Sequence, residues 1–153
     1  MSDSTIHLVL PAPRIEQPTE VDGYLIVARD LLQGVEVLTT LQNISPRSCA
    51  LIAAQALECA LKAFLSHKGK AKGIHDLVAL WDMAYKEGLD IEPSPPDWCA
   101  ILSSGHGPVF YFRYQKGEGK TIVHGGQTPA LISMAVELKK LIKMVELVVS
   151  AKP

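Results

Sequence analysis

The stretch PRSCALIAAQALECALKAFLS, residues 46 to 66, constrains the fold more than any other part of the chain. Ser45-Pro46 opens it with a good N-cap and a proline at the first helical position, where its missing N–H costs nothing. The segment is then apolar on nearly every side: Cys49, Ala50, Leu51, Ile52, Ala53, Ala54, Leu57, Ala60, Leu61, Phe64 and Leu65. A helix without a single apolar stripe has to be surrounded, so this one belongs in the middle of a bundle.

Periodicity supplies the helices that would surround it. From Val21, the residues Tyr24, Leu25, Ala28, Leu31, Leu32, Val35, Leu38 and Leu41 recur at steps of three and four, which predicts a long amphipathic helix ending near Asn43. A third helix is expected from about His75 to Glu87, with Leu77, Leu80, Trp81 and Ala84 inward and Gly88 as its stop. Ser94-Pro95 and Thr128-Pro129 repeat the opening device of Ser45-Pro46. They predict a short fourth helix with Trp98, Ile101 and Leu102, and a last helix from Pro129 to Val149 with Leu131, Ala135, Leu138, Ile142 and Val145 inward. The expected fold class is all-α, an antiparallel bundle of four or five helices. Residues 19 to 153 form one domain, and the proline-containing residues 1 to 18 form an extended or poorly ordered lead-in.

One segment departs from the helical pattern. VFYFRY, followed by Gly117-Glu118-Gly119 and Thr121-Ile122-Val123, is rich in aromatic and β-branched residues and reads as a small β-hairpin or extended arm before the last helix. Its tip ends like a phosphate-binding loop, Gly119-Lys120-Thr121, but Tyr114 stands where the first glycine is required. The β-branched and glycine-rich residues beyond it would not open a helix either.

Charge and cysteine usage exclude little. Residues 1 to 46 hold two basic and six acidic side chains and residues 100 to 153 seven and three, so the C-terminal part is the better place for an anionic partner. Gln55, Glu58 and Lys62 interrupt the longest apolar run, and the start of the chain lacks the basic opening of a signal peptide, which together predict a cytoplasmic protein. Cys49, Cys59 and Cys99 form no CxxC pair, and the first two lie roughly 15 Å apart along one helix. They read as small buried hydrophobes in a reducing compartment. Neither HxxxH nor Glu-x-x-His occurs, so no metal centre or cofactor is expected.

Candidate functional residues are few. Gln55, Glu58 and Lys62 form one polar seam on the second helix. The seam reads either as its solvent face, with Glu58 and Lys62 a weak i, i+4 pair, or as the lining of a groove in which Glu58 holds Lys62 ready for a phosphate or another anion. His75-Asp76 opens the third helix, where Asp76 favours the dipole and His75 caps or flanks it. Ser103 and Ser104 lie near His106, a proximity that does not amount to a nucleophilic triad. Arg113 suits phosphate and Tyr111 or Tyr114 a base, although the same aromatics suit a core.

The order of these features, AAQALECALKAFLSHKG, a lysine-containing loop, HDLVALWDMA, a short proline-started helix, FRYQ and a final amphipathic helix, resembles the HEPN superfamily of helical nucleotide-binding domains. Glu58 and Lys62 match that family's glutamate and lysine one turn apart. His75 and Leu77 match its histidine-x-leucine opening, and Arg113-Tyr114 an arginine-tyrosine pair. The resemblance implies a bundle that is often a homodimer and works beside a nucleotidyltransferase or in a toxin-type pair, with Glu58, Lys62, His75, Arg113 and Tyr114 as ligand-binding residues for a nucleotide or RNA. The ribonuclease members' Arg, four to six residues, then His is lacking here, so the expected module is non-catalytic. The alternatives are a divergent metal-independent ribonuclease using Arg113 with His106 or His124, and a helical dimerisation domain without a small-molecule ligand.

Overall fold

The computed structural model describes residues 19–41, 43, 45–70, 73–107 and 128–151. They form five helices and no strand: α1 (Glu20–Leu38), α2 (Pro46–His67), α3 (Leu77–Lys86), α4 (Asp97–His106) and α5 (Thr128–Ser150). The expected hairpin, with Arg113 and Tyr114, lies outside the described residues, as do the lead-in and His124.

Local chemistry accounts for each start. Thr19 and Asp22 close a reciprocal capping box on α1, with Asp22 N donating to Thr19 Oγ1 at 3.1 Å and Thr19 N donating to Asp22 Oδ2 at 3.0 Å. Ser45 caps α2 through Ser48 N. Asp76 caps α3 through the N–H groups of Val78 and Ala79, so that helix begins at Leu77 and His75 flanks it from outside. Besides the start of α3, expected at about His75, two boundaries differ from expectation. Helix α1 stops at Leu38 rather than near Asn43, where the Thr39 and Thr40 hydroxyls turn back to the carbonyls of Glu36 and Val37. Helix α4 starts at Asp97 instead of Pro95, because Pro96 disfavours helical backbone at the residue before it. Gly88, at φ +91°, follows α3 as the expected left-handed stop.

Helix α2 is the axis of the bundle and packs against all four others, α1 most extensively. Its Leu57, Leu61, Phe64 and Leu65 are sealed from solvent, facing a core completed by Val35 of α1, Leu77 and Leu80 of α3, and Leu138, Ile142 and Val145 of α5. By length and composition α2 is apolar enough to cross a membrane, which corrects the expectation that its polar residues would prevent this. Most of it is buried inside the bundle, as a core helix of a globular domain would be. Helix α5 is laid along α1 with ion pairs Arg29–Glu146 at 3.3 Å and Lys139–Glu36 at 2.7 Å on the rim. Each is exposed enough to contribute about 0–1 kcal/mol.

Candidate functional site

The polar seam of α2 is not a solvent face. Glu58 and Lys62 are 4% and 5% exposed, and Gln55 is half-buried beside Cys59, so the solvent-face reading of the seam is overturned. Packing contributes to this: α3 and α4 both pack on α2, and His75 before α3 and His106 at the end of α4 reach the Glu58 carboxylate.

What makes the burial tolerable is the way the Glu58 carboxylate is used. Lys62 Nζ donates to Glu58 Oε1 at 2.7 Å from one turn along α2. His75 Nδ1 meets the same oxygen at 2.8 Å, and His106 Nε2 meets Oε2 at 2.5 Å. An ionised carboxylate offers no proton, so in each ring the nitrogen facing Glu58 carries the hydrogen, an assignment made from the hydrogen-bond network. Burial by itself would raise the pKa of Glu58. The hydrogen bonds from His106, Lys62 and His75 outweigh it, together with the charge of Lys62, and hold the carboxyl at about 2.

Both histidines are delivered by helix ends. His75 lies immediately before the Asp76 cap, and His106 is the last residue of α4. Ser103, one turn before His106, donates to Asp76 Oδ1 at 3.1 Å and accepts from Leu77 N at 3.2 Å. That pair of bonds ties α4 to the start of α3 and sets the two rings on either side of the carboxylate. It also gives Ser103 a structural task, while the Ser104 hydroxyl is used by Ile101 O. Neither serine is hydrogen-bonded to His106, which faces Glu58.

The four groups differ in access. The side chains of Glu58, Lys62 and His106 are 5%, 6% and 3% exposed, whereas His75 is 65% exposed. The network therefore reaches solvent through one imidazole. Its side chains bond to one another instead of converging on a common centre, and among the described residues no group of three or more His, Cys, Asp or Glu is disposed to hold a metal ion. Tyr24 of α1 stands near enough to feel the charge of Lys62, although burial is the larger influence and raises its phenol.

Of the residues expected to bind a ligand, the structure thus brings Glu58, Lys62 and His75 together. His106 joins them without a spacing signal: it lies 48 positions from Glu58. A separate cleft of about 430 Å³ opens between the α3–α4 connection and α5, lined in part by Trp81, Trp98, Glu137 and Lys140. The two indoles meet edge to face at 6.4 Å, and Trp98 Nε1 donates to Glu137. None of the four network residues lines that cleft.

Among the described residues, the fold and site define a helical bundle with a largely buried carboxylate network. No protein-family model, curated protein or solved structure matches the chain.

Proposed function

We propose that this chain is a non-catalytic HEPN-like module that binds a nucleotide or another anionic group beside the Glu58 network. The observation that carries the reading is the placement of Lys62, a cation drawn into the core and oriented by Glu58, next to an exposed His75. A solvated lysine would have no such preorganisation, and a buried ion pair of this kind contributes little stability that apolar residues could not supply. In its imidazolium form His75 would donate its outward Nε2–H to a phosphate oxygen, and Arg113 and Tyr114 complete the reading as guanidinium and stacking partners. In this reading the module is cytoplasmic, forms a homodimer and works beside a nucleotidyltransferase or toxin-type partner.

The ribonuclease alternative loses one of its two candidate histidines, because His106 is buried and its Nε2 is taken by Glu58. The test of the binding reading is thermal unfolding of wild type, Arg113→Ala and His75→Ala with purine and pyrimidine triphosphates at low salt. A nucleotide at about 100 times its Kd stabilises the wild type by roughly 2.7 kcal/mol, and both variants, still folded, lose the response. Absence of a shift with every nucleotide would leave no support for small-nucleotide binding.

A further inference from the structure

We propose that His75 is a phosphoryl-acceptor residue, with its outward Nε2 as the nucleophile and Glu58 as the positioning residue behind the ring. The inference goes beyond nucleotide binding and does not rest on it.

Three observations carry it. The first is the contrast in access, an imidazole 65% exposed anchored to a carboxylate 5% exposed, so that one edge of the ring is fixed and the other is open to a reagent. The second is the tautomer. With Nδ1 donating to Glu58 Oε1 at 2.8 Å, the neutral ring keeps its hydrogen inside and its lone pair on Nε2 outside, which is the form that attacks an electrophile. The third is rigidity. His75 precedes a helix whose start is held by the Asp76 cap and by Ser103, and Lys62 shares the oxygen that holds the ring, leaving a cation on the inner side of the site.

The step balances with a small phosphoryl donor of the phosphoramidate or acyl phosphate class. The Nε2 lone pair forms an N–P bond as the bond from phosphorus to the donor's nitrogen or oxygen breaks. Ammonia or the carboxylate leaves with that electron pair. The hydrogen stays on Nδ1, the ring becomes cationic, and the buried Glu58 carboxylate compensates the new charge. Nothing is oxidised or reduced.

The structure contains its own comparison. His67 is exposed at the end of α2 and, among the described residues, has no carboxylate hydrogen-bonded to its ring. Intact wild-type protein is incubated with phosphoramidate at neutral pH, and modification is mapped by mass spectrometry and by phosphorus NMR, which separates the two phosphohistidine isomers. His75 should be labelled at Nε2, at least about tenfold faster than His67, and His75→Gln should remove that signal while leaving His67 labelling unchanged. Labelling of His75 no faster than His67, or labelling at Nδ1, would overturn the proposal. Because no nucleotide is present, the result stands apart from the outcome of the nucleotide titration.

Discussion

His106 Nε2 lies 2.5 Å from Glu58 Oε2, joining the last residue of α4 to the middle of α2 where solvent does not reach. With Lys62 and His75 on the other oxygen, three donors from three places in the chain share one carboxylate. A carboxylate accepts about four hydrogen bonds, so its capacity is nearly used, and removing any member leaves a polar group behind in the core.

Glu58→Ala should be the most damaging single change in the network. It strands Lys62 without its counter-ion in a site that is about as buried as Glu58 itself, a loss of about 3–5 kcal/mol. Urea unfolding of the single variant and of the double variant Glu58→Leu/Lys62→Met checks this. The double variant is expected to recover much of the loss, since apolar replacement of a buried pair is often neutral.

The two histidines should separate in an equilibrium unfolding experiment. His106→Ala leaves a cavity and an unmet carboxylate oxygen in the interior, and is expected to cost about 2 kcal/mol or more. His75→Ala removes a largely exposed ring, whose place water can take, and should cost about 1 kcal/mol or less. Equal losses would contradict the difference in burial.

Acid should weaken the fold through Glu58. Its carboxyl sits at about 2 in the folded chain against an ordinary 4.5, so the unfolded state binds the proton first as pH falls. The stability that Glu58 contributes is complete above about pH 4.5 and is lost progressively towards pH 2. Unfolding free energies measured across this interval should fall less steeply in the Glu58→Leu/Lys62→Met variant than in the wild type.

The cysteines should be silent towards thiol reagents while the fold persists. Cys49, Cys59 and Cys99 are all buried, and burial, with a smaller contribution from the charge of Asp76, pushes the Cys99 thiol up to about 12. At mildly alkaline pH all three should react at the rate of global unfolding and become fast together in denaturant. Rapid reaction of any one in the native protein would place it at the surface.

Much of the bundle was legible in local chemistry. The all-round apolar character of residues 46 to 66 required a central helix, and α2 is packed by the other four. The recurring positions of α1 and α5 marked their inward stripes, and Leu25, Ala28, Leu32, Val35, Leu138, Ile142 and Val145 are buried accordingly. Boundaries failed where a weak side-chain bond or a second proline competed with periodicity, at Thr39-Thr40 and Pro95-Pro96.

Sequence alone thus determined which segments are helical, that Ser45 caps α2, and that Glu58 and Lys62 lie one turn apart, because all of these depend on neighbours within a few residues. It left the seam of α2 open between solvent and groove, since a helix's own periodicity does not say which partners cover it. Tertiary structure decided against solvent. The ends of α3 and α4, tied together by Ser103 and Asp76, bring His75 and His106 onto the Glu58 carboxylate and exclude water from all but the outer edge of His75. A contact across 48 positions comes from the packing of whole helices and leaves no spacing in the chain to be read.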